Sequence, residues 1–313
     1  MRYIKIASLL CTVCMLCACA QQSVPASSQQ TVQAESSPLS AASQGPVRVA
    51  PAMLLSEFHA EIAQGSGNVQ MDVSAAENGY VGVSAVSESR LKFQVVFGDS
   101  KYNYDLAQDG TPLIVPLQSG SGSYKLRVMQ NTVEDKYIEL YSTTVQVQLA
   151  DDLLPFLYSS SMVYFTQATG SSVKAAQLCA NAPDEAAVVA AVYEYIKDNV
   201  AYDYDLAASN PKAYVSSPDS TLQTGKGICF DYATLAAAML RSQGIPTKVI
   251  TGYVGKNAIY HAWNMFYTEE SGWVTVEIAA PDHDWQRIDI TFAATGGSAF
   301  TGDGSSYTDR YVY

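Results

Sequence analysis

Positive charge is scarce in this chain of 313 residues: 18 Lys and Arg stand against 30 Asp and Glu, a formal net charge of −12. Nucleic-acid binding needs a basic footprint, so that class of partner is excluded. Charge of either sign is thin, at 15% of residues, and no run of like charges stands out. The acidity therefore reads as solubility and surface repulsion rather than a binding tail. Long apolar runs are lacking too. Residues 6–16 form one apolar stretch, too short to span a bilayer, and neither a second such span nor an internal repeat follows. Beyond residue 19 only Cys179 and Cys229 remain, which is no disulfide framework. They form one disulfide pair or stand as two thiols. Spacings such as His-x-x-x-His or Cys-x-x-Cys, and glycine-rich phosphate loops, are missing from the same stretch, so no metal and no cofactor is expected.

What is present begins with an export signal. Arg2 and Lys5 precede the apolar stretch, as in the n- and h-regions of a secretory leader. Leu16-Cys17-Ala18-Cys19 resembles the bacterial lipobox, in which a small residue precedes a cysteine that is lipidated and becomes the new N-terminus. On that reading Cys19 is the lipidation site and residues 1–18 are removed; the alternative is a plain leader cleaved near Ala18 or Ala20. Residues 19–50, rich in Ser, Gln, Ala and Val without a period, read as a flexible tether. The expected location is the cell membrane, lipid-anchored on its extracytoplasmic face.

Residues 51–150 carry β signals. Arg90-Leu91-Lys92-Phe93-Gln94-Val95-Val96-Phe97 alternates, Gly98-Asp99 turns, and Tyr102-Asn103-Tyr104-Asp105-Leu106 follows. Further turns at Asp109-Gly110 and Ser119-Gly120-Ser121-Gly122 precede Tyr124-Lys125-Leu126-Arg127-Val128, then Tyr137 to Tyr141 and Thr144 to Leu149. Short strands at this spacing predict an immunoglobulin-like β-sandwich that carries no chemistry and acts as a spacer or a dock for partners.

After residue 150 the pattern changes to helices, then strands. Pro183-Asp184-Glu185 opens a helix, with Pro at its first position, that ends near Asp198-Asn199. Residues 209–224, rich in Ser, Pro and Asn, read as a loop. Then comes Gly225-Lys226-Gly227-Ile228-Cys229, followed by Tyr232, Leu235, Ala236, Met239 and Leu240 at helical spacing, with Gly244 and Pro246 as stops. Strands follow at 247–254, 261–267, 272–278 and 285–292. Helices first and consecutive strands after them predict an α+β domain over 151–313, its antiparallel sheet packed on the cysteine helix.

Cys229 thus opens a helix, where unpaired N–H groups and the dipole favour an anion and a thiol becomes nucleophilic. Its own N–H is the natural oxyanion donor; Tyr202 reads as a packed tyrosine rather than a second one. A thiol nucleophile needs a base and a group that orients the base. Among three histidines, His59 is expected in solvent, His283 in a turn, and His261 at the start of a strand in the same domain as Cys229. Cys179, with no histidine nearby in sequence, reads as a core residue, and Trp263, Trp273 and Trp285 as sheet core.

The segments Gly227-Ile228-Cys229-Phe230-Asp231-Tyr232-Ala233, Tyr260-His261-Ala262-Trp263-Asn264 and Trp285-x-x-Ile288-Asp289-x-Thr291, with the Tyr195-to-Asp203 stretch upstream, resemble the transglutaminase-like superfamily over about residues 155–313. The resemblance implies a papain-like transglutaminase fold and a Cys-His-Asp set, with Cys229 as nucleophile and His261 as base. For the third member Asp289 is preferred, keeping the acid type and the Thr two residues on; Glu277, in Trp273-Val274-Thr275-Val276-Glu277, is the competitor. Implied substrates are peptide, protein or cell-wall peptide amides outside the cytoplasm, with hydrolysis favoured over cross-linking. A non-catalytic binding module that keeps the fold is the rival reading.

Overall fold

A computed structural model describes residues 47–209, 214–254, 259–276 and 307–313. Cys19, Glu277, His283, Trp285 and Asp289 lie outside the described residues, as does the strand expected at 285–292.

The first half is a sandwich of two four-stranded antiparallel sheets. Its strands are β1 (Gln64–Ser66), β2 (Val69–Asp72), β3 (Tyr80–Ala85), β4 (Leu91–Phe97), β5 (Ser100–Leu106), β6 (Leu113–Pro116), β7 (Gly122–Asn131) and β8 (Tyr137–Val147). One sheet runs β1-β2-β3-β6 and the other β5-β4-β7-β8. The crossovers from β3 to β4, from β5 to β6 and from β6 to β7 carry the chain between sheets, the Greek-key pattern of immunoglobulin-like sandwiches. Alternation sends Leu91, Phe93 and Val95 of β4 inward against Leu126 and Val128 of β7, where they meet Met71, Val81 and Val83 of the other sheet in one core. Tyr124 opens β7 and donates its hydroxyl to the carbonyls of Leu117 (3.1 Å) and Gly120 (2.8 Å). That is a tyrosine corner, which pins the crossover between sheets.

Two details depart from expectation. The stretches at 137–141 and 144–149 are one strand, β8, which tolerates a bulge opposite Val128 and Met129. The β1-β2-β3-β6 sheet has weak sequence signals because β3 is buried along its whole length, so no alternation marks it. His59 keeps about a third of its side chain in solvent, while its backbone N–H (2.8 Å) and ring Nδ1 (3.2 Å) meet the buried carboxylate of Asp72.

The second half is α+β, as expected. It comprises α1 (Gly170–Leu178), α2 (Glu185–Asn199), β9 (Ala201–Tyr202), α3 (Tyr204–Ser209), α4 (Pro218–Thr224), β10 (Lys226–Gly227), α5 (Cys229–Ser242), β11 (Thr247–Val254), β12 (Ile259–Thr268), β13 (Gly272–Val276) and β14 (Tyr307–Val312). The last four form an antiparallel sheet in the order β13-β12-β11-β14. Asp184 caps α2, accepting from the Ala187 N–H at 2.8 Å, so Pro183 precedes the cap rather than holding the first helical position. The expected loop at 209–224 contains α4, because Ser217 is an N-cap and Pro218 fits the first turn.

α5 is the axis of this half. Every residue from Asp231 to Ser242 is buried. Tyr232, Leu235, Ala236, Met239 and Leu240 pack on α1 and α2, while the small face of Ala233, Ala237 and Ala238 meets Val249 of β11 and Ala262 of β12. A helix buried all round must partner its polar side chains. Arg241 does so with carbonyls alone: those of Thr247 (2.9 and 2.7 Å), Tyr158 (3.1 Å) and Tyr313 (3.2 Å). Burial still pulls its guanidinium down to about 9.

Candidate active site

The site is built on the turn that delivers Cys229. Gly225 ends α4 in the left-handed conformation (φ 62°), which a side chain disfavours. The chain then pairs β10 with β9 in parallel, setting Gly227 against Tyr202. The Ala201 and Asp203 N–H groups donate to the Gly225 and Gly227 carbonyls at 2.8 and 2.9 Å. Gly227 is required sterically: a Cβ there would come 2.6 Å from Cβ of Asp231.

Asp231, in the first turn of α5, is the organiser of this turn. Its Oδ2 accepts from the Ile228 N–H at 2.9 Å, fixing the entry into the helix one residue before Cys229. The Tyr214 hydroxyl donates to both carboxylate oxygens, at 2.9 and 3.0 Å. Burial, then the Asp231 charge, pushes the Tyr214 phenol well above its ordinary range, so it stays a donor. The carboxylate is buried and fully engaged in holding structure.

Cys229 itself is a half-buried free thiol, and Cys179 a buried one, so the pair forms no disulfide. Cys179 lies in the core beside α2 as expected, and burial pushes its thiol up. Cys229 packs against the cluster holding Ala233 and Ala262, as Phe230 and Met53 also do. Tyr202 packs against the core that α5 shares with α1 and α2, as expected. Its phenol is pushed up to about 12, by burial first and then by the charge of Cys229. Tyr232 ties this corner down, its hydroxyl reaching the Val200 carbonyl at 2.6 Å.

The strand that carries His261 docks on the same helix. Buried Asn264 of β12 donates to the carbonyls of Ala233 (3.0 Å) and Lys248 (3.0 Å), and accepts from the Tyr193 hydroxyl (3.2 Å). Ala233 lies one turn into α5 from Cys229, and His261 lies three residues before Asn264 on β12. His261 is half-buried and in register with Gly252 of β11. Asn264 links this strand to α5 by hydrogen bond, and it is a residue sequence reasoning passed over. Asp231 was visible as an acid in the first turn; nothing local distinguishes Asn264 from an exposed strand amide.

Trp263 is buried with Ile250, as expected for sheet core. Trp273 is half-buried beneath the Lys248 ammonium, 3.7 Å from its ring. Among the described residues no cluster of His, Cys, Asp and Glu has the makings of a metal site.

Comparison with known proteins bears on this constellation. Residues 173–278 match the model of the transglutaminase-like superfamily. The matched span contains Cys229, His261 and Glu277 and stops short of Asp289. The chain is 30% identical over 125 residues to a protein-glutamine gamma-glutamyltransferase of Pseudomonas aeruginosa, covering 32% of this chain and 18% of that protein. It is 33% identical over 67 residues to UPF0252 protein MJ1282 of Methanocaldococcus jannaschii, covering 20% and 19%. The chain therefore spans about a fifth of the length of the curated relatives it matches. Among solved structures, the periplasmic domain of TgpA from Pseudomonas aeruginosa is similar with a TM-score of 0.31 and 17% identity, over 73% of this chain and 75% of that one. Red sea bream transglutaminase gives a TM-score of 0.27 and 11% identity, over 64% and 48%. Residues 173–278, built around the Cys229 helix, are a transglutaminase-like domain.

Proposed function

We propose that this protein is a lipid-anchored extracytoplasmic cysteine enzyme that breaks or exchanges peptide or carboxamide bonds through a thioester on Cys229. The observation that carries the reading is the half-buried thiol at the first position of α5, with the strand of His261 clamped to the same helix by Asn264. His261 takes the thiol proton, and the thiolate attacks the carbonyl carbon of the substrate amide. The resulting oxyanion is met by the Cys229 N–H at the helix mouth. The C–N bond breaks as His261 returns the proton to the departing nitrogen, leaving the thioester. Water, or a second amine, then attacks the thioester and frees the thiol. Hydrolysis is the favoured outcome. Asp289 orients His261 in this scheme. Glu277 is the second choice, favoured by its place inside the matched family span.

The test is capture of the thioester. The protein incubated with blocked peptide amides, Z-Gln-Gly among them, is expected to gain an acyl mass on Cys229 that hydroxylamine removes, with none on Cys229→Ala. No hydroxylamine-labile adduct with any of the peptides would contradict the reading. For the acid, Asp289→Ala is expected to lose adduct formation as fully as His261→Ala while Glu277→Ala keeps it; the reverse pattern transfers the role to Glu277. The anchor is tested separately: incorporation of a palmitate analogue is expected to vanish in Cys19→Ala, and persistence would refute lipidation at that residue.

A further inference from the structure

The Asp231 carboxylate that organises the cysteine turn is also a potential competitor there. It is buried, 1% exposed, in the first turn of α5, whose N–H groups favour an anion. The Asp231 and Tyr232 N–H groups are occupied, donating to the Ile228 carbonyl at 2.9 and 3.1 Å. The N–H groups of Cys229 and Phe230 meet no acceptor among the described residues. A carboxylate at the third helical position reaches back toward the helix start. Asp231 does so at the Ile228 N–H (2.9 Å), one residue before Cys229. With an oxygen to spare it would take the neighbouring Cys229 N–H, the donor that the catalytic scheme above reserves for the substrate oxyanion. Neither oxygen is spare, because the Tyr214 hydroxyl meets both, at 2.9 and 3.0 Å. The segment presenting Tyr214 is itself pinned to α5: the hydroxyls of Ser216 and Thr234 meet at 2.6 Å, and Thr234 donates to the Asp231 carbonyl at 3.2 Å.

We infer that Tyr214 is a positioning residue for the reaction at Cys229: by holding the Asp231 carboxylate on the Ile228 N–H, it keeps the Cys229 N–H open for the oxyanion. The inference rests on the catalytic reading above. Tyr214 touches no substrate in this scheme and acts through Asp231 alone. Loss of its hydroxyl leaves a buried carboxylate short of a donor, and such a group must find a replacement. The open donors of its own turn are the N–H groups of Cys229 and Phe230. On the other side the Gly227 backbone confines the side chain, since a Cβ there would come 2.6 Å from Cβ of Asp231.

The experiment compares two reactions of the same thiol on the full chain, each followed by the mass of the peptide holding Cys229. With p-nitrophenyl acetate the sulfur attacks the carbonyl carbon, charge passes to the carbonyl oxygen, and p-nitrophenolate leaves as the acetyl thioester forms. Iodoacetamide reacts by displacement of iodide and develops no such oxyanion. Tyr214→Phe is expected to slow acetylation at least about tenfold, as loss of an oxyanion donor does, while alkylation stays within about twofold of wild type. In Asp231→Asn, whose neutral amide competes weakly for an N–H, adding Tyr214→Phe is expected to cost less than about twofold. Acetylation and alkylation falling together mark a merely structural role and overturn the inference. Acetylation unchanged in Tyr214→Phe, a penalty of the same size in the Asp231→Asn background, or wild-type acetylation no faster than that of a cysteine peptide also overturns it, with catalysis judged separately. Alkylation of the wild type no faster than that of the peptide, and indifferent to His261→Ala, overturns the catalytic reading and this inference with it.

Discussion

The sandwich and the α5 half solve the same problem in opposite ways. In the sandwich, alternating strands bury apolar side chains in one core, and charged pairs such as Arg90–Asp105 (2.8 Å) and Arg127–Glu139 (2.6 Å) stay outside, with the Asp72 carboxylate a buried exception. In the α5 half the polar groups are inside. Arg241, Asp231, Thr234 and Asn264 are all buried, and each is matched to named partners. Exposed pairs contribute little and tolerate loss. A buried polar group left without its partner costs the full desolvation of that group. The difference implies that the α5 half trades sequence tolerance for a fixed geometry around Cys229.

The largest expected effect comes from breaking that interior order. Arg241→Met leaves the carbonyls of Tyr158, Thr247 and Tyr313 without their donor and is expected to cost about 2–4 kcal/mol. Urea midpoints would show it; a loss below about 1 kcal/mol would mean the interior network is replaceable by apolar packing. Gly227→Ala follows, at about 1–3 kcal/mol, because the added methyl must displace Asp231. Its distinguishing sign is slower Cys229 labelling at temperatures where the fold is intact. In the sandwich, Tyr124→Phe removes the corner's hydroxyl and is expected to cost about 1 kcal/mol with Cys229 labelling unchanged. Arg90→Ala is expected to shift the midpoint by less than about 0.5 kcal/mol.

Acid provides a further contrast. Burial pushes the Asp72 carboxyl up, but the Ser74 side chain and the His59 and Ser74 N–H groups outweigh it and hold the group below its ordinary 3.8. A carboxyl lowered on folding contributes stability that is present above pH 3.8 and is lost as pH falls through the folded value. Wild-type stability is therefore expected to drop as pH falls below about 3.8, and Asp72→Asn to flatten that part of the curve. An unchanged acid slope in the variant would remove Asp72 from the account.

What was legible in the sequence follows the same division. Alternation exposed β4, β5 and β7, and helical spacing exposed α5, because each signal comes from one buried face. It failed at β3, buried throughout, and it understated α5, whose second face of Ala233, Ala237 and Ala238 is too small to register as apolar periodicity. Ser217-Pro218 is a helix start that was readable in principle but was lost in a stretch rich in loop residues. At the candidate site, Cys229 and His261 are proposed from residue type and chain order. Asn264 and Tyr214 were not legible, because their roles depend on partners 31 and 17 residues away in the chain.

The central claim is that the fixed geometry around Cys229 serves a thiol activated by His261. The most direct measurement is the rate of Cys229 alkylation by iodoacetamide at pH 6, compared among the wild type, His261→Ala and a free cysteine peptide. The account predicts that the wild type reacts at least about tenfold faster than the peptide and that His261→Ala falls back to the peptide's rate. A wild-type rate equal to the peptide's, unchanged by loss of His261, would contradict it.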